Sequence, residues 1–225
     1  MSRGLGDVYK RQMFYRTLTG LSMSILIGVL AAGVSAVMAL ILGICAATLG
    51  KKVDSAISFA IDTVMGIPHI LLLILISYAM GKGLKGVIAG VALTHWTSLA
   101  RLIRGEVMQL RESEYIQIAG KLGLGKWEIA KKHIVPHVLP QFIVGLVLLF
   151  PHAILHESSI TFLGFGLSTE QPAIGVILSE SMRYLIMGKW WLAVFPGMML
   201  VLTVVLFEKG GTALRQLLDP GSVHK

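Results

Sequence analysis

The stretch TLTGLSMSILIGVLAAGVSAVMALILGICAATLG, from Thr17 to Gly50, carries no charged side chain across 34 residues. A hydrocarbon core about 30 Å thick is crossed by roughly 20 apolar residues in a helix. The run is therefore long enough for one tilted spanning helix with its ends to spare. The rest of the chain agrees with it. Of 225 residues 55% are hydrophobic and 14% charged, with mean hydropathy +0.76, against roughly 25% charged in an average soluble domain. A water-soluble globule of this size could not cover its surface with so few charges. The sequence reads as an all-α transmembrane chain forming one membrane domain.

Four further apolar runs follow, at 55–80, 86–103, 134–155 and 190–207, the last with Trp190 and Trp191 placed as interfacial anchors. Five spanning helices are expected, which puts the termini on opposite sides. One set of loops collects Lys51, Lys52, the seven basic residues from Arg101 to Lys132, and Lys209, Arg215 and Lys225, twelve in all against eight on the other side. The positive-inside rule then places the 101–133 loop and the C-terminus in the cytoplasm. The net charge of +8 is scattered between apolar runs, which suits basic loops at a lipid bilayer and not a nucleic-acid-binding face. Cys45 is the single cysteine, so no intrachain disulfide can form. Gly86 and Gly90, and Gly28 and Ala32, have the spacing of helix-packing surfaces. Met1–Gln12 is polar and lacks the apolar core of a signal peptide. It reads as a non-native leader, with residues 13–225 as the domain.

The long loop RLIRGEVMQLRESEYIQIAGKLGLGKWEIAKKH, residues 101–133, contains a helix of its own. Ser113 is a candidate N-cap, Glu114 suits the positive end of a helix, and Gly123 can stop it. Tyr115, Ile118, Ala119 and Leu122 share one apolar face. A second helix, 126–133, is expected after Gly125. A two-turn helix in a loop this size has nothing of its own to bury that face against, so a partner protein or the membrane surface is implied.

Gln117, Ile118, Ala119, Gly123 and Pro136 keep the spacing of a Glu-Ala-Ala motif followed by Gly and then Pro, with Gln and Ile in the first two places. Arg101, Arg104, Leu110-Arg111 and Glu114-Tyr115 precede or open it. SITFLGFG at 159–166, Leu214-Arg215 and Leu218-Asp219-Pro220 follow. With these motifs the chain resembles the permease subunits of bacterial ABC importers, in the dipeptide, oligopeptide and nickel branch, over Tyr15 to Pro220. The resemblance implies a coupling helix, with Glu114, Tyr115, Gln117, Ala119, Gly123 and Pro136 carrying contact with a cytoplasmic ATPase subunit. It also implies two ATP-binding subunits holding ATP and Mg²⁺, a related sister permease, an extracytoplasmic solute-binding protein, and location in the cytoplasmic membrane. Members of the branch carry a further N-terminal span, so the first family helix is expected to be missing here.

No chemistry of the chain's own is expected. Gly123-Leu124-Gly125-Lys126 is followed by Trp127, where a phosphate loop needs Ser or Thr, and there is no HExxH. This reads as a transporter subunit, not an enzyme, with no cofactor in the chain. His152 and His156 lie four apart on the fourth span, with Glu157 next and His95 on the third span. Residues i and i+4 share a helix face, and polar groups at membrane depth mark a pathway. His95, His152, His156 and Glu157 are thus candidate pathway residues, His152 and His156 a transient metal contact. His69, His133 and His137 read as interfacial. Nickel-type members of the branch look similar at His95, His152 and His156, which implies nickel or a nickel chelate as cargo. The alternatives are a di- or oligopeptide permease and, from another class, a membrane-embedded metal enzyme using His152, His156 and Glu157.

Overall fold

The computed structural model describes residues 3–218, with the side chains of 3–11 and of Lys126 excepted. Met1, Ser2 and the Asp219-Pro220 pair of the last motif lie outside the described residues, and the backbone of the rest of the 1–12 leader continues into the first helix. Among the described residues every regular element is a helix: α1 (Arg3–Thr48), α2 (Lys51–Gly66), α3 (His69–Ala79), α4 (Gly83–Arg111), α5 (Glu114–Lys121), α6 (Lys126–Ile129), a π-helical turn (Ala130–Ile134), α7 (Val135–Phe162), α8 (Ile174–Leu185) and α9 (Trp191–Leu218). Among the described residues four helices are long and apolar enough to span a membrane, and α2 with α3 forms a bent fifth candidate.

Helix α1 runs along α4 and α7, and small residues set that packing. Ala31, Ala32, Ala36, Ala39, Ala46 and Ala47 are buried, while Leu26, Val29, Leu30, Val34, Val37 and Ile41 face outward as a lipid-compatible surface. A methyl group on Gly43 would stand 2.9 Å from the Ala100 carbonyl, so the α1 and α4 backbones nearly touch. Ser35 Oγ donates to the Ala92 carbonyl at 3.1 Å. Gly28 packs on Phe150, and Gly86 and Gly90 on Ser77 and Leu73 of α3, so both small-residue pairs serve helix packing.

The second span does not cross as one straight helix. It breaks at Ile67-Pro68, and α2 and α3 meet at 100°. The residue before proline is pushed out of the α region, and Ile67 is extended at φ −92°, ψ 137°. At 1.5 Å per residue α2 and α3 extend roughly 24 and 16 Å, each shorter than the bilayer core.

The third span is longer than its apolar run. Helix α4 continues through Arg101 and Arg104 to Arg111, because these arginines find partners on neighbouring helices. Arg104 forms a forked pair with Asp54 of α2, including Nη2 to Oδ2 at 2.7 Å. Arg101 reaches Asp62 at 2.6 Å, and Arg111 donates to the Ala47 carbonyl at the end of α1. The expected 126–133 helix is not separate either. It passes through the π turn into α7, where the Val135 N–H bonds back five residues to the Ala130 carbonyl. The ring of Pro136 would strike the carbonyl four residues back in a regular helix, and the wider turn relieves that.

Helix α8 was not expected. At 12 residues, with Glu180 and Arg183 in it, it is too short and too polar to read as a span. It packs on α7 and α9.

Candidate functional site

Two regions carry the residues singled out in the sequence. The first is a cavity of about 580 Å³ walled by the end of α2, the Ile67-Pro68 break, the start of α3, and the middle of α4 and α7. His69, His95, His152 and His156 all line it. The Pro68 break places His69 at the first turn of α3, facing His95 and His156, with ring centroids 4.7 and 4.5 Å away. His95 and His156 are 5.0 Å apart. Helix α4 holds His95 by its own backbone, with Nδ1 3.0 Å from the Val91 carbonyl. A carbonyl only accepts, and Thr94 Oγ1, 3.0 Å from the same nitrogen, gives its own hydrogen to the Gly90 carbonyl at 2.9 Å, so Nδ1 carries the hydrogen and the lone pair sits on Nε2. That Nε2 is buried without a partner among the described residues, as is the Nε2 of His69.

The grouping differs from the expected one. His69, read as interfacial, belongs to the cluster with His95 and His156. His152 lines the same cavity from an exposed position one turn earlier on α7 and stands outside that cluster. The missed signal was Pro68: a helix restarting after it sends its first side chain across the break, which periodicity counted through the run cannot show.

Glu157 turns away from the histidines. It is fully buried and takes hydrogen bonds from Thr161 Oγ1 at 3.0 Å and Ser158 Oγ at 3.2 Å, with Ser24 of α1 as a third hydroxyl partner. Thr161 Oγ1 also accepts from the Leu167 N–H, and Ser24 Oγ from the Ile174 N–H. The carboxyl group thus ties α1, α7 and the start of α8 together at the SITFLGFG turn. His152, His156 and Glu157 do not converge on one point. Glu157→Ala is expected to cost about 3 kcal/mol, the size seen when a large buried side chain is cut to alanine. Glu157→Gln keeps the shape and the acceptor oxygen and should cost less. Thermal unfolding of the purified variants in detergent checks the order; equal losses would count against the tie.

The second region is α5. Ser113 sits at the N-cap position, but its hydroxyl donates to the Leu110 carbonyl at 2.5 Å instead of capping α5. At the other end Gly123, at φ +91°, stops the helix. Its N–H bonds the Gly120 carbonyl and the Leu124 N–H bonds the Ala119 carbonyl, the two bonds of a Schellman stop. Gln117 Nε2 donates to the Glu112 carbonyl at 3.1 Å. Ile116, which is off the expected apolar face, anchors α5 in a core with Val107, Leu110, Ile134 and Val138. The expected face points outward: Tyr115, Ile118 and Leu122 are exposed, and Trp127 beside them is 81% exposed. Glu114 and Gln117 are exposed, and Ala119 is half-buried. Pro136 is exposed just past the π turn, one helix away from this face.

Residues 39–222 match the family model described as binding-protein-dependent transport system inner membrane component. The dipeptide transport system permease protein of Bacillus subtilis is 32% identical over 214 residues, 95% of this chain and 67% of that protein. The oligopeptide transport system permease protein of the same organism is 32% identical, over 95% and 70%. The probable D,D-dipeptide transport system permease protein of Escherichia coli is 30% identical, over 95% and 72%. The fold is that of the MetNI methionine ABC transporter in inward-facing conformations, with TM-score 0.75 at 16% identity over 92% of this chain and 98% of that one. An amino acid ABC transporter solved with histidines gives TM-score 0.68 at 18% identity, over 96% and 99%.

Proposed function

The chain belongs to the family of binding-protein-dependent transport system inner membrane components, and from that premise we propose that it moves di- or oligopeptides across the cytoplasmic membrane. It is a multi-pass permease subunit of an ABC importer and not an enzyme; ATP is hydrolysed by a separate subunit. The observation that carries the peptide reading is the set of relatives, which are dipeptide and oligopeptide permeases at 30–32% identity along 95% of the chain. Nickel, suggested by the histidines in the sequence, has no such support from these relatives.

In this reading α5 is the coupling helix. Its exposed Tyr115, Ile118 and Leu122 seat in a groove of an ATP-binding subunit, and its Ile116 anchor and glycine stop let it move as a rigid piece with α4 and α7. Two such subunits, a related sister permease and an extracytoplasmic binding protein complete the importer, with the α5 face and the C-terminus in the cytoplasm. Glu114, Gln117, Ala119, Gly123 and Pro136 support the docking surface and its position.

One observation favours a second reading: the imidazoles on the cavity wall suit nickel or a nickel chelate. Uptake of a labelled dipeptide and of radioactive nickel, in cells expressing the complete gene cluster with and without this chain, separates the two. Peptide uptake that depends on the chain is expected. Nickel uptake that depends on it, with peptide uptake unchanged, would overturn the peptide reading.

A further inference from the structure

We propose that His69, His95 and His156 form a binding site for one divalent late first-row transition-metal ion, with a remaining coordination position open to the cavity. The donor set defines the class of ion. Three imidazoles with no carboxylate among them suit cobalt through zinc and exclude the oxygen-seeking magnesium and calcium.

The geometry is close to what such an ion needs. One ring nitrogen from each of the three residues lies within 4.8 Å of the others. Three imidazoles on a tetrahedral ion, each at about 2.0–2.1 Å, set their nitrogens about 3.3 Å apart. Closing from the observed spacing takes a movement of less than about 1 Å per ring, within the reach of small side-chain rotations.

The hydrogen-bond pattern prepares the lone pairs. The Val91 carbonyl fixes the hydrogen of His95 on Nδ1 and leaves Nε2 as the donor atom, the backbone support that orients a ligating imidazole. Nε2 of His95 and Nε2 of His69 are buried with no partner among the described residues. Leaving a buried polar atom unpaired is costly, and an ion between the rings removes that cost for both. Three neutral ligands leave the ion's double charge uncompensated, so the open position favours an anionic donor. A carboxylate of a chelating cargo fits there; this last step rests on the importer reading, and the ion site itself does not.

The test uses the whole importer in lipid nanodiscs, titrated with Co²⁺ and followed by its visible d–d absorption, with Zn²⁺ as competitor. One Co²⁺ per chain is expected, displaced by Zn²⁺, and X-ray absorption of the wild-type complex should count three imidazoles. Removing a supporting group outside the ligand set typically costs 10–100-fold in metal affinity. His69→Ala, His95→Ala and His156→Ala, which remove ligands, should therefore each weaken binding by at least about 100-fold. His137→Ala, remote on α7, should leave binding intact. Fewer than three imidazoles, or Co²⁺ binding indifferent to His69 and His95, would overturn the site. Dipeptide uptake, measured separately on the same variants, reports the cargo reading, so the failure of one is distinguishable from the failure of the other.

Discussion

Gly120→Pro is expected to abolish cargo uptake while leaving the chain inserted and the ATP-binding subunits able to hydrolyse ATP. Helix α5 is only 8 residues long, so it has no spare turn with which to absorb a break. Proline at 120 removes the N–H that a helix directs to the carbonyl four residues back, at Ile116, and drives its ring against that oxygen. The cost in a helix interior is about 3 kcal/mol, equivalent to about a 100-fold loss of the docked form. Ile116 is also the side chain that fixes α5 to its own chain, so the break and the anchor coincide. Gly120→Ala is the control. The nearest atom a methyl group would meet is Ile129 Cδ1 at 3.9 Å, and alanine favours the helix by about 1 kcal/mol over glycine. Uptake should persist in Gly120→Ala and fall to background in Gly120→Pro, with ATPase activity no longer responding to cargo. Unchanged uptake in the proline variant would remove α5 from the coupling path.

The short helix was legible at its C-terminal end, which is written locally, whereas the Ser113 hydroxyl read as its cap turns back to Leu110. A glycine at the left-handed position is enough to stop a helix. Both motif glycines do so: Gly123 after α5 and, at φ +82°, Gly164 after α7, each followed by the paired return bonds of a Schellman stop. The spans were legible from apolar length alone. Their true ends were not, because Arg101, Arg104 and Arg111 extend α4 by pairing with residues 39 to 64 positions away, and hydropathy carries no information on partners. The same holds for the cavity. His95 and His156 could be named from their depth in the spans, whereas His69 joined them only through the bend at Pro68. Glu157 shows the opposite failure. It is adjacent to His156 in sequence, but one residue along a helix is a rotation of about 100°, which carries its carboxyl group to the Ser24 side of α7 and out of the histidine cavity.

Arg104→Glu is expected to release α2 and bring uptake to background, and Asp54→Arg in the same chain is expected to restore it. Helix α2 buries only Ile61 fully, so apolar packing alone holds it weakly. Its two ion pairs to α4 differ in weight. Asp62 and Arg101 have side chains 68% and 52% exposed, a setting in which a pair contributes about 1 kcal/mol or less. Asp54 and Arg104 are 25% and 27% exposed and joined through both carboxylate oxygens. Removing one partner of a fully buried pair costs about 3–5 kcal/mol; this pair is only half-buried and stays screened by solvent, so its loss falls between that range and the roughly 1 kcal/mol or less of an exposed pair. Arg101→Glu should accordingly change little, while Arg104→Glu sets two carboxylates against each other beneath the bend. The effect reaches the cavity because the end of α2 and the residues after it form its wall: Gly66, Ile67, Pro68 and His69 all line it. Thermal unfolding and dipeptide uptake of the single and exchanged variants check the argument. Recovery in the exchanged chain assigns the latch to charge pairing across α2 and α4; a double variant as impaired as Arg104→Glu would assign Arg104 a contact outside this chain.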